Sequence, residues 1–419
     1  MKKHILYAAV VAAAALTACT SQKAPQEPQV VLRVANALDF DRVGELVIYS
    51  DYQGLKDSLK IDEEHQLILV DKDGRQLPYQ VTANNAAILF PATVAAHDTS
   101  EYTFKVGTPE VFAAKVFGKQ YPNRVDDIAW ENEYSAYRLY GPALQASGER
   151  AFGYDVWTKS VDTLVVDQRY HQELDSQPVV DSLKAAGKAD EAAEYYHGVS
   201  YHVDHGNGLD CYKVGPTLGG GTTALYQDGK IVYPYCYKEY EILENGPLRF
   251  TVKLEYPTVV INGDSVVEHR ILSAIAGSRL NQCTVYYTGL SNPTQVATGL
   301  VIHPENVDSL AANAEQQYIA YADLTDIVNN DNGVIYVGAV CPSVKEARPE
   351  WFDAKESQKE RGGAAGHVLA ISDYEPGSFY EYYFGSSWSK GGMPSLQAWE
   401  EYLGQYAKCL ANPLSVSVK

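Results

Sequence analysis

Short apolar stretches with alternating or β-branched residues recur along most of the chain. Typical examples are LVIYS (46–50), EYTFKV (101–106) and SVVEHRILSAI (265–275). They have the length and the Val, Ile and Tyr content of strands, and Gly, Asn, Asp and Pro separate them. The Asp-Gly pairs in DKDG (71–74) and YQDGK (226–230) favour tight hairpin turns. The pattern therefore predicts a mostly β protein built from antiparallel sheets.

Helical spacing is confined to a few segments. The Ala-, Glu- and Lys-rich run VVDSLKAAGKADEAAEYY (179–196) predicts an inserted helical segment that is broken at Gly187. SLQAWEEYLGQYAKCL (395–410) repeats apolar residues near helical spacing, which predicts a final helix packed on the sheets. The run TLVVDQRY (163–170) is instead interpreted as a strand, because of its β-branched residues.

The N-terminus is typical of a targeting signal rather than of a fold. A basic start and the apolar run ILYAAVVAAAALTA predict a signal peptide over residues 1–18. Small residues stand before Cys19, as in bacterial lipoproteins, so we expect Cys19 to carry the lipid. The polar, Pro-containing residues 19–30 predict a flexible tether. Residues 31–419 are then the folded part, with a small N-terminal sub-sandwich over 31–110 as one option.

The composition of the chain excludes two classes of binding partner. The net charge is -19, from 34 basic and 53 acidic residues. Such a surface argues against a sequence-independent nucleic-acid binder and against electrostatic docking on anionic lipid. We therefore expect no nucleic acid and contact with a membrane only through the lipid anchor. A local cluster of Arg and Lys still permits an acidic substrate, and the 32 tyrosines offer rings that stack on sugars.

The densest polar segment covers residues 195–215. It contains the candidate catalytic residues His202, Asp204, His205, Tyr212 and Lys213. On a strand, the first two would share one face, and the third would begin the turn at Gly-Asn-Gly. A titratable cluster beside a glycine loop is typical of an active site. His-x-Asp-His could also bind a divalent metal, but this spacing is no standard motif, so no metal or other cofactor is assigned.

A second polar cluster, over residues 121–159, mixes aromatic, Arg and carboxylate side chains. Aromatic faces pack on sugar rings, and Arg binds a carboxylate through two parallel hydrogen bonds. The alternative is a surface strand with ion pairs. In FGSSWSKGGM (384–393), a Ser/Gly loop would close Trp388 over a ligand. The candidate substrate-binding residues are Arg124, Trp130, Glu131, Asn132, Arg138, Arg150, Tyr154 and Trp388.

Several strings occur in the order known from one protein family. They are RVDDIAWENEYSAYRLYGPAL, GERAFGYDVWTK, YHVDHGNGLDCYKVGPTLGGGTTAL, ILENGPLR and AGSRLN. From about Val31 to the C-terminus, the chain closely resembles domain of unknown function family 4861. The resemblance implies an antiparallel, galactose-mutarotase-like β-supersandwich. It also implies a glycan-foraging Gram-negative bacterium, so we expect a lipid-anchored protein that faces the periplasm or lies on the cell surface.

The resemblance also implies a chemistry. A family member from an ulvan pathway is an oligosaccharide dehydratase, which removes water from a terminal uronic acid and leaves a 4,5-unsaturated sugar. Such a β-elimination needs a neutralised carboxylate, a base for the C5 proton and an acid for the group that leaves C4. Our hypothesis takes His202 or His205 as the base, oriented by Asp204. Tyr212, beside Lys213, is the candidate acid.

The assignments of the remaining groups follow from the same scheme. One of four polar residues would hold the carboxylate, and Trp130 or Trp388 would stack on the sugar ring. The four candidates for the carboxylate are Arg124, Asn132, Arg138 and Arg150.

Other reactions fit the same residues. If the leaving group is a sugar, the enzyme is a lyase, and if it is water, a dehydratase. A glycoside hydrolase would use two carboxylates. A mutarotase-like epimerase would use a His and a Glu, and a non-catalytic glycan-binding lipoprotein would need only the aromatic and Arg residues. The hydrolase candidates are Asp126, Asp127, Glu131 and Glu133.

Overall fold

The computed structural model describes residues 28–324 and 331–419. The predicted signal peptide, Cys19 and most of the predicted tether lie outside the described residues, so these assignments stay predictions. The first strand begins at Gln29, and the last two residues of the predicted tether therefore belong to a sheet. In the described part of the chain, no helix combines the length and the apolar content needed to cross a bilayer.

Strands make up most of the described chain. In chain order the first half are β1 (Gln29–Ala35), β2 (Arg42–Tyr49), β3 (Leu67–Val70), β4 (Gln76–Leu77), β5 (Gln80–Val81), β6 (Ile88–Val94), β7 (Thr99–Val106), β8 (Phe117–Tyr121), β9 (Asp127–Glu131), β10 (Ser135–Leu139), β11 (Asp155–Thr158), β12 (Gly220–Gln227) and β13 (Lys230–Val232). The others are β14 (Glu239–Asn245), β15 (Arg249–Glu255), β16 (Val259–Ile261), β17 (Asp264–Ile275), β18 (Leu280–Thr288), β19 (Thr294–Ile302), β20 (Leu310–Asn313), β21 (Tyr318–Asp323), β22 (Ile335–Val340), β23 (Glu346–Trp351), β24 (Gly366–Tyr374), β25 (Tyr380–Trp388) and β26 (Ser415–Val418).

Helices are fewer. They are α1 (Tyr52–Leu59), α2 (Pro142–Ala146), α3 (Val166–Ala185), α4 (Ala189–Val199), α5 (Ala354–Glu360) and α6 (Leu396–Ala411), with a 3-10 turn at Ser389–Gly391. The predicted break at Gly187 and the predicted final helix are confirmed. The predicted strand over 163–170 is wrong, because α3 begins at Val166. Val166 and Tyr170 are buried at helical spacing, so packing against a sheet overrides their strand propensity.

Two large sheets stack face to face and enclose the main core. One has the strand order β13-β12-β19-β24-β23, and the other has the order β14-β15-β17-β18-β25-β22-β21-β20, with β16 paired to β17. Leu300 and Val368 from the first sheet share one apolar cluster with Leu272 and Phe384 from the second. All ladders between named strands are antiparallel, which confirms the predicted mostly β, antiparallel fold.

A smaller sandwich lies at the N-terminus. Its two sheets have the orders β26-β1-β7-β3-β4 and β2-β6-β5. Phe90 and Phe104, from opposite sheets, contact edge to face at 5.8 Å in a separate apolar cluster. The C-terminal strand β26 pairs with β1 and brings Val418 opposite Leu32. The last residues of the chain thus complete the sandwich that the first described residues begin.

A four-stranded sheet, β11-β10-β9-β8, carries much of the polar second cluster. One face, with Trp130 and Tyr137, packs into the main core. The other face is covered by α3, which packs through Val166 and Tyr170 against Trp157, and α4 packs on α3. The polar residues at the rim of this sheet therefore lie beside the loop that follows α4.

Candidate functional site

A polar cavity of about 630 Å³ opens where the loop after α4 meets the four-stranded sheet. Both polar clusters of the sequence contribute to it, together with a residue that follows the undescribed gap. Its lining includes Arg138 on β10, His197 on α4, the loop residues His202, Asp204, Asp210, Tyr212 and Lys213, and Asn332. Five predicted site residues are thus brought together here: Arg138, His202, Asp204, Tyr212 and Lys213.

The loop itself is not a strand, so the expectation that His202 and Asp204 share a strand face is wrong. Asp204 Oδ1 accepts hydrogen bonds from the backbone N–H groups of Gly206 and Gly208, at 2.8 and 3.0 Å. This is the turn-forming role that a short carboxylate side chain favours. Asp204 therefore shapes the turn, and the predicted orientation of a histidine by Asp204 is not observed.

Arg138 is the centre of a buried ion cluster below the cavity. Its Nη2 lies 2.5 Å from Asp155 Oδ2 and 3.0 Å from Asp210 Oδ2, and its Nη1 lies 3.9 Å from Asp127 Oδ2. Burial raises the pKa of Asp127 to about 6 and that of Asp210 to about 7, and the charge of Asp155 adds to both increases. Three carboxylates around one guanidinium therefore retain a proton near neutral pH.

His202 is held in one orientation by this cluster. Its Nδ1 lies 3.0 Å from the backbone carbonyl oxygen of Asp210 and 3.6 Å from Oδ2 of the same residue. A carbonyl oxygen only accepts, so Nδ1 carries the hydrogen and Nε2 of the neutral ring keeps its lone pair. About half of the His202 side chain, 48%, is exposed. The imidazole can therefore take a proton from a molecule bound in the cavity.

Arg124 supports His202 indirectly rather than facing a ligand. Its Nε donates to the hydroxyl of Tyr201 at 3.0 Å, and the Tyr201 ring packs against the His202 ring with centroids 4.6 Å apart. The same tyrosine stacks on Trp157 at 4.7 Å. This aromatic column fixes the start of the loop against the four-stranded sheet.

Sequence reasoning missed a histidine–aspartate pair beside the cavity. His303 follows β19 and Asp323 ends β21, and His303 Nδ1 lies 2.5 Å from Asp323 Oδ2. The His303 ring contacts the ring of Tyr212 edge to face, with centroids 6.2 Å apart. The only signal in the sequence was a polar residue at the end of each apolar strand.

The hydroxyl of Tyr212 is buried and has no hydrogen-bond partner among the described residues. Burial and the charge of Asp323 raise the pKa of Tyr212 well above its usual range. The phenol therefore keeps its proton and can donate a hydrogen bond. The ring of Tyr212 lines the cavity, and its protonated hydroxyl is a hydrogen-bond donor without a partner among the described residues.

Three predicted substrate-binding residues are structural. Trp130 is fully buried in the main core, and its Nε1 donates to Asn281 Oδ1 at 2.9 Å. Glu131 accepts from Lys159 Nζ at 2.6 Å, and both side chains are fully buried. Asn132 donates to two backbone carbonyl oxygens at 2.7 and 2.9 Å. Their interpretation as a sugar groove is wrong, because Trp130 points into the main core, Glu131 points to the opposite face beneath the start of α3, and Asn132 is bonded to backbone groups.

The remaining predictions fall outside the cavity lining. Tyr154 is buried, and its hydroxyl accepts from Arg270 Nη1 at 2.9 Å. Trp388 is the last residue of β25 rather than a loop residue; its Nε1 donates to the carbonyl oxygen of Asn332 at 2.7 Å, so it supports the cavity wall from behind. Arg150 is exposed and lies over an aromatic ring away from this lining.

His205 also points elsewhere. Its Nε2 lies 3.0 Å from the carbonyl oxygen of Ser200, and it is not among the residues that line the cavity. Of the four carboxylates considered for a hydrolase, Asp127 and Glu131 are buried in separate ion pairs, and none of the four lines this cavity. In the described ranges, no three His, Cys, Asp or Glu side chains are grouped as metal ligands would be.

Comparisons with known proteins give one full-length relative. The chain is 24% identical over 442 residues to a protein of Formosa agariphila named Uncharacterized protein P7, and the match covers 100% of both chains. A glycosyl hydrolase family 38 protein from Enterococcus faecalis is a similar structure with a TM-score of 0.48 and 8% identity, covering 94% of this chain and 48% of that one. An alpha-mannosidase from the same species is also a similar structure. Its TM-score is 0.44 and its identity 9%, and the match covers 94% of this chain and 46% of that one.

This chain spans about half the length of those two structures, at 48% and 46% of their chains. A family model described as domain of unknown function (DUF4861) matches residues 34–416, and the chain therefore belongs to that family.

Proposed function

We propose that the protein is an enzyme that acts on uronic-acid-containing oligosaccharides by β-elimination and produces a 4,5-unsaturated uronate. One observation carries the proposal. A single cavity is lined by a half-exposed imidazole, by an exposed ammonium group and by a tyrosine whose buried hydroxyl has no partner among the described residues. Elimination next to a carboxylate needs a base, a donor at the leaving oxygen and a cation, and these groups supply all three.

The cation assigned to the substrate is Lys213. It is exposed at the cavity and forms no ion pair with any described residue. Arg138 is less suited, because its charge is already shared among three buried carboxylates. We therefore assign the substrate carboxylate to Lys213, and we assign to Arg138 the task of fixing Asp210 and, through it, His202. A neutralised carboxylate makes the neighbouring C5 proton acidic enough to be removed.

The base is His202. Its Nε2 would take the proton from C5, while Nδ1 stays bonded to the carbonyl oxygen of Asp210. The Tyr212 hydroxyl would donate a hydrogen bond to the oxygen that leaves C4. If that oxygen departs as water the protein is a dehydratase, and if it belongs to another sugar the protein is a lyase. The chemistry at C5 is the same in both cases.

The test is an ultraviolet assay for the conjugated product. The protein without its signal peptide is incubated with uronic-acid oligosaccharides from ulvan, pectin and glucuronate-bearing arabinogalactan, with and without chelator. We expect absorbance to rise on at least one substrate; mass loss of water then identifies a dehydratase, and chain cleavage a lyase. New reducing ends without absorbance would contradict elimination and indicate a hydrolase.

A pair of histidine variants locates the base. His202→Asn should lower kcat by about 10²–10⁴-fold, the usual contribution of a general base. His205→Asn is the matched control, because His205 lies in the same loop but outside the cavity lining. Equal activity of the wild type and His202→Asn would remove His202 from the mechanism.

A further inference from the structure

A cluster of aromatic and arginine side chains reaches the surface beside the loop that contains Lys213. The guanidinium carbon of Arg150 lies 5.7 Å from the centroid of the Phe152 ring. That ring contacts the rings of Tyr235 and Tyr233, with centroids 6.5 and 5.9 Å apart. We call Arg150, Phe152, Tyr233 and Tyr235 the aromatic platform. None of the four lines the cavity, so the platform is a separate surface.

Two members of the platform are accessible to a ligand. Tyr235 is 51% exposed, and Arg150 is exposed as well. Arg150 forms no ion pair or hydrogen bond with a described residue, not even with its neighbour Glu149, and its contact is with the Phe152 ring. A single exposed tyrosine is common on protein surfaces. An exposed ring beside an unpaired guanidinium, in contrast, matches a sugar that carries a carboxylate.

The segment that carries Tyr235 is held on both sides. Before it, the guanidinium carbon of Arg361 lies 3.7 Å from the centroid of the Tyr233 ring. After it, the Tyr237 hydroxyl donates to the carbonyl oxygen of Asp126 at 2.5 Å. Because the segment is already fixed, a ligand that packs on the Tyr235 ring does not have to order it, and less of the binding energy is lost.

The backbone that lines the cavity also leads to the platform. The N–H of Phe152 donates to the carbonyl oxygen of Gly215 at 3.3 Å, and Gly215 is two residues from the cavity residue Lys213. Two steps of 3.8 Å between Cα atoms limit the distance from Lys213 to Gly215 to about 8 Å. An oligosaccharide whose reacting uronate meets Lys213 is therefore in reach of the platform through a later sugar unit.

We propose that the aromatic platform is a second subsite, which binds an anionic sugar unit of the same oligosaccharide. This inference rests on the proposed function. The Tyr235 ring packs on the C–H face of that sugar, and the Arg150 guanidinium pairs with its carboxylate. Arg150 thus binds a carboxylate, as the sequence predicts, but on a unit that does not react. The platform touches no reacting atom, so it contributes to affinity and to the preference for longer chains rather than to kcat.

The experiment compares short and long ligands. Disaccharide and hexasaccharide fractions are prepared from ulvan, pectin and glucuronate-bearing arabinogalactan. Their affinities are measured by calorimetry in the His202→Asn background, where turnover should be slow. We expect at least one hexasaccharide to bind about 10-fold more tightly than its disaccharide, which corresponds to one charge-assisted contact. Adding Arg150→Gln or Tyr235→Ala should remove most of this difference and leave the affinity for the disaccharide unchanged.

Phe379→Ala is the matched control, because Phe379 is 68% exposed but contacts Tyr286 on the nine-stranded sheet, away from the platform. It should change neither affinity. Equal losses for the disaccharide and the hexasaccharide in Arg150→Gln and Tyr235→Ala would overturn the second subsite, and so would an unchanged affinity for the hexasaccharide.

The ultraviolet assay separates this inference from the proposed function. A wild type that forms the chromophore but binds short and long chains equally rejects only the second subsite. Length-dependent binding that the two variants abolish, without any chromophore, rejects the elimination. Absence of binding to every fraction rejects both.

Discussion

Asp210 has two contacts that tie the buried ion cluster to the cavity. Its side chain pairs with Arg138 at 3.0 Å, and its backbone carbonyl oxygen lies 3.0 Å from His202 Nδ1. Any change in the charge of this carboxyl therefore changes the electrostatic environment of the imidazole that we assign as the base. At the residue scale, the clearest consequence is a dependence of stability on pH.

The sign of that dependence follows from the raised pKa values. An unfolded Asp has a pKa of about 3.9, so the folded protein binds these protons more tightly than the unfolded chain. Their contribution to stability is complete below about pH 4 and is lost as the pH rises through about 6 for Asp127 and about 7 for Asp210. We expect the free energy of unfolding to fall by several kcal/mol between about pH 4 and pH 8 as these two groups lose their protons.

Denaturant titrations at several pH values measure this effect. Asp210→Asn should flatten the decrease, because an amide does not titrate. Asp308→Asn, at an exposed position, is the control. It should leave the slope of the unfolding free energy against pH unchanged. Identical slopes for the wild type and Asp210→Asn would show that this carboxyl is not the group that retains the proton.

At the scale of elements, the loop between α4 and β12 depends on its contact with β11. Thr158 N–H donates to the carbonyl oxygen of Leu209 at 2.9 Å, and the Leu209 N–H donates back to Thr158 Oγ1 at 3.0 Å. Gly208 precedes this pairing with φ +94°, and a Cβ there would lie 2.2 Å from the carbonyl oxygen of Thr158. The close approach is possible only for glycine.

Gly208→Ala and Gly206→Ala form a matched pair. Both glycines have positive φ, at +94° and +90°, but a Cβ at Gly206 meets nothing within 4 Å. Gly206→Ala should cost about 1 kcal/mol of backbone strain, and Gly208→Ala about 2–4 kcal/mol because the loop must also move away from β11. Denaturant unfolding measures both. Gly208→Ala should also weaken activity through displacement of His202 and Tyr212, and equal costs for the two variants would contradict the close packing.

At the scale of the whole molecule, the C-terminus closes the N-terminal sandwich. The strand β26 pairs with β1 from Ala35 to Leu32, and Leu414 contributes to the apolar cluster between the two small sheets. Helix α6 directly precedes this strand and packs on the nine-stranded sheet through Trp399 and Leu403. The chain end thus connects the small sandwich to the large one.

A chain that ends at Pro413 should lose at least about 2 kcal/mol of stability, because it exposes an edge of β1 and the contacts of Leu414. Hydrogen exchange should show the loss first in the amides of β1. Lys419→Ala is the control, since it removes only the exposed ion pair with Glu101 and should leave stability nearly unchanged. Unchanged protection of β1 after truncation would show that β26 does not stabilise the sandwich.

Part of the site could be predicted because its members are close in sequence. His202, Tyr212 and Lys213 share one short loop, and the structure brings them to one cavity with Arg138. The contribution of the second cluster was harder to predict. Its residues alternate along β9 to β11, and sequence alone does not tell which sheet face is covered by α3 and which packs into the core.

Local sequence determines most of the elements of this protein. Apolar alternation predicts the strands, Asp-Gly the hairpins and Gly187 the helix break, because backbone preferences and side-chain period act over a few residues. Only the tertiary structure decides which polar groups are available for binding or catalysis. Lys159 is neutralised inside the protein by Glu131 while Lys213 stays at the cavity, and His303 meets Asp323 only when two sheets stack. Burial and pairing depend on neighbours distant along the chain, and they determine the charge and hydrogen bonding of each group.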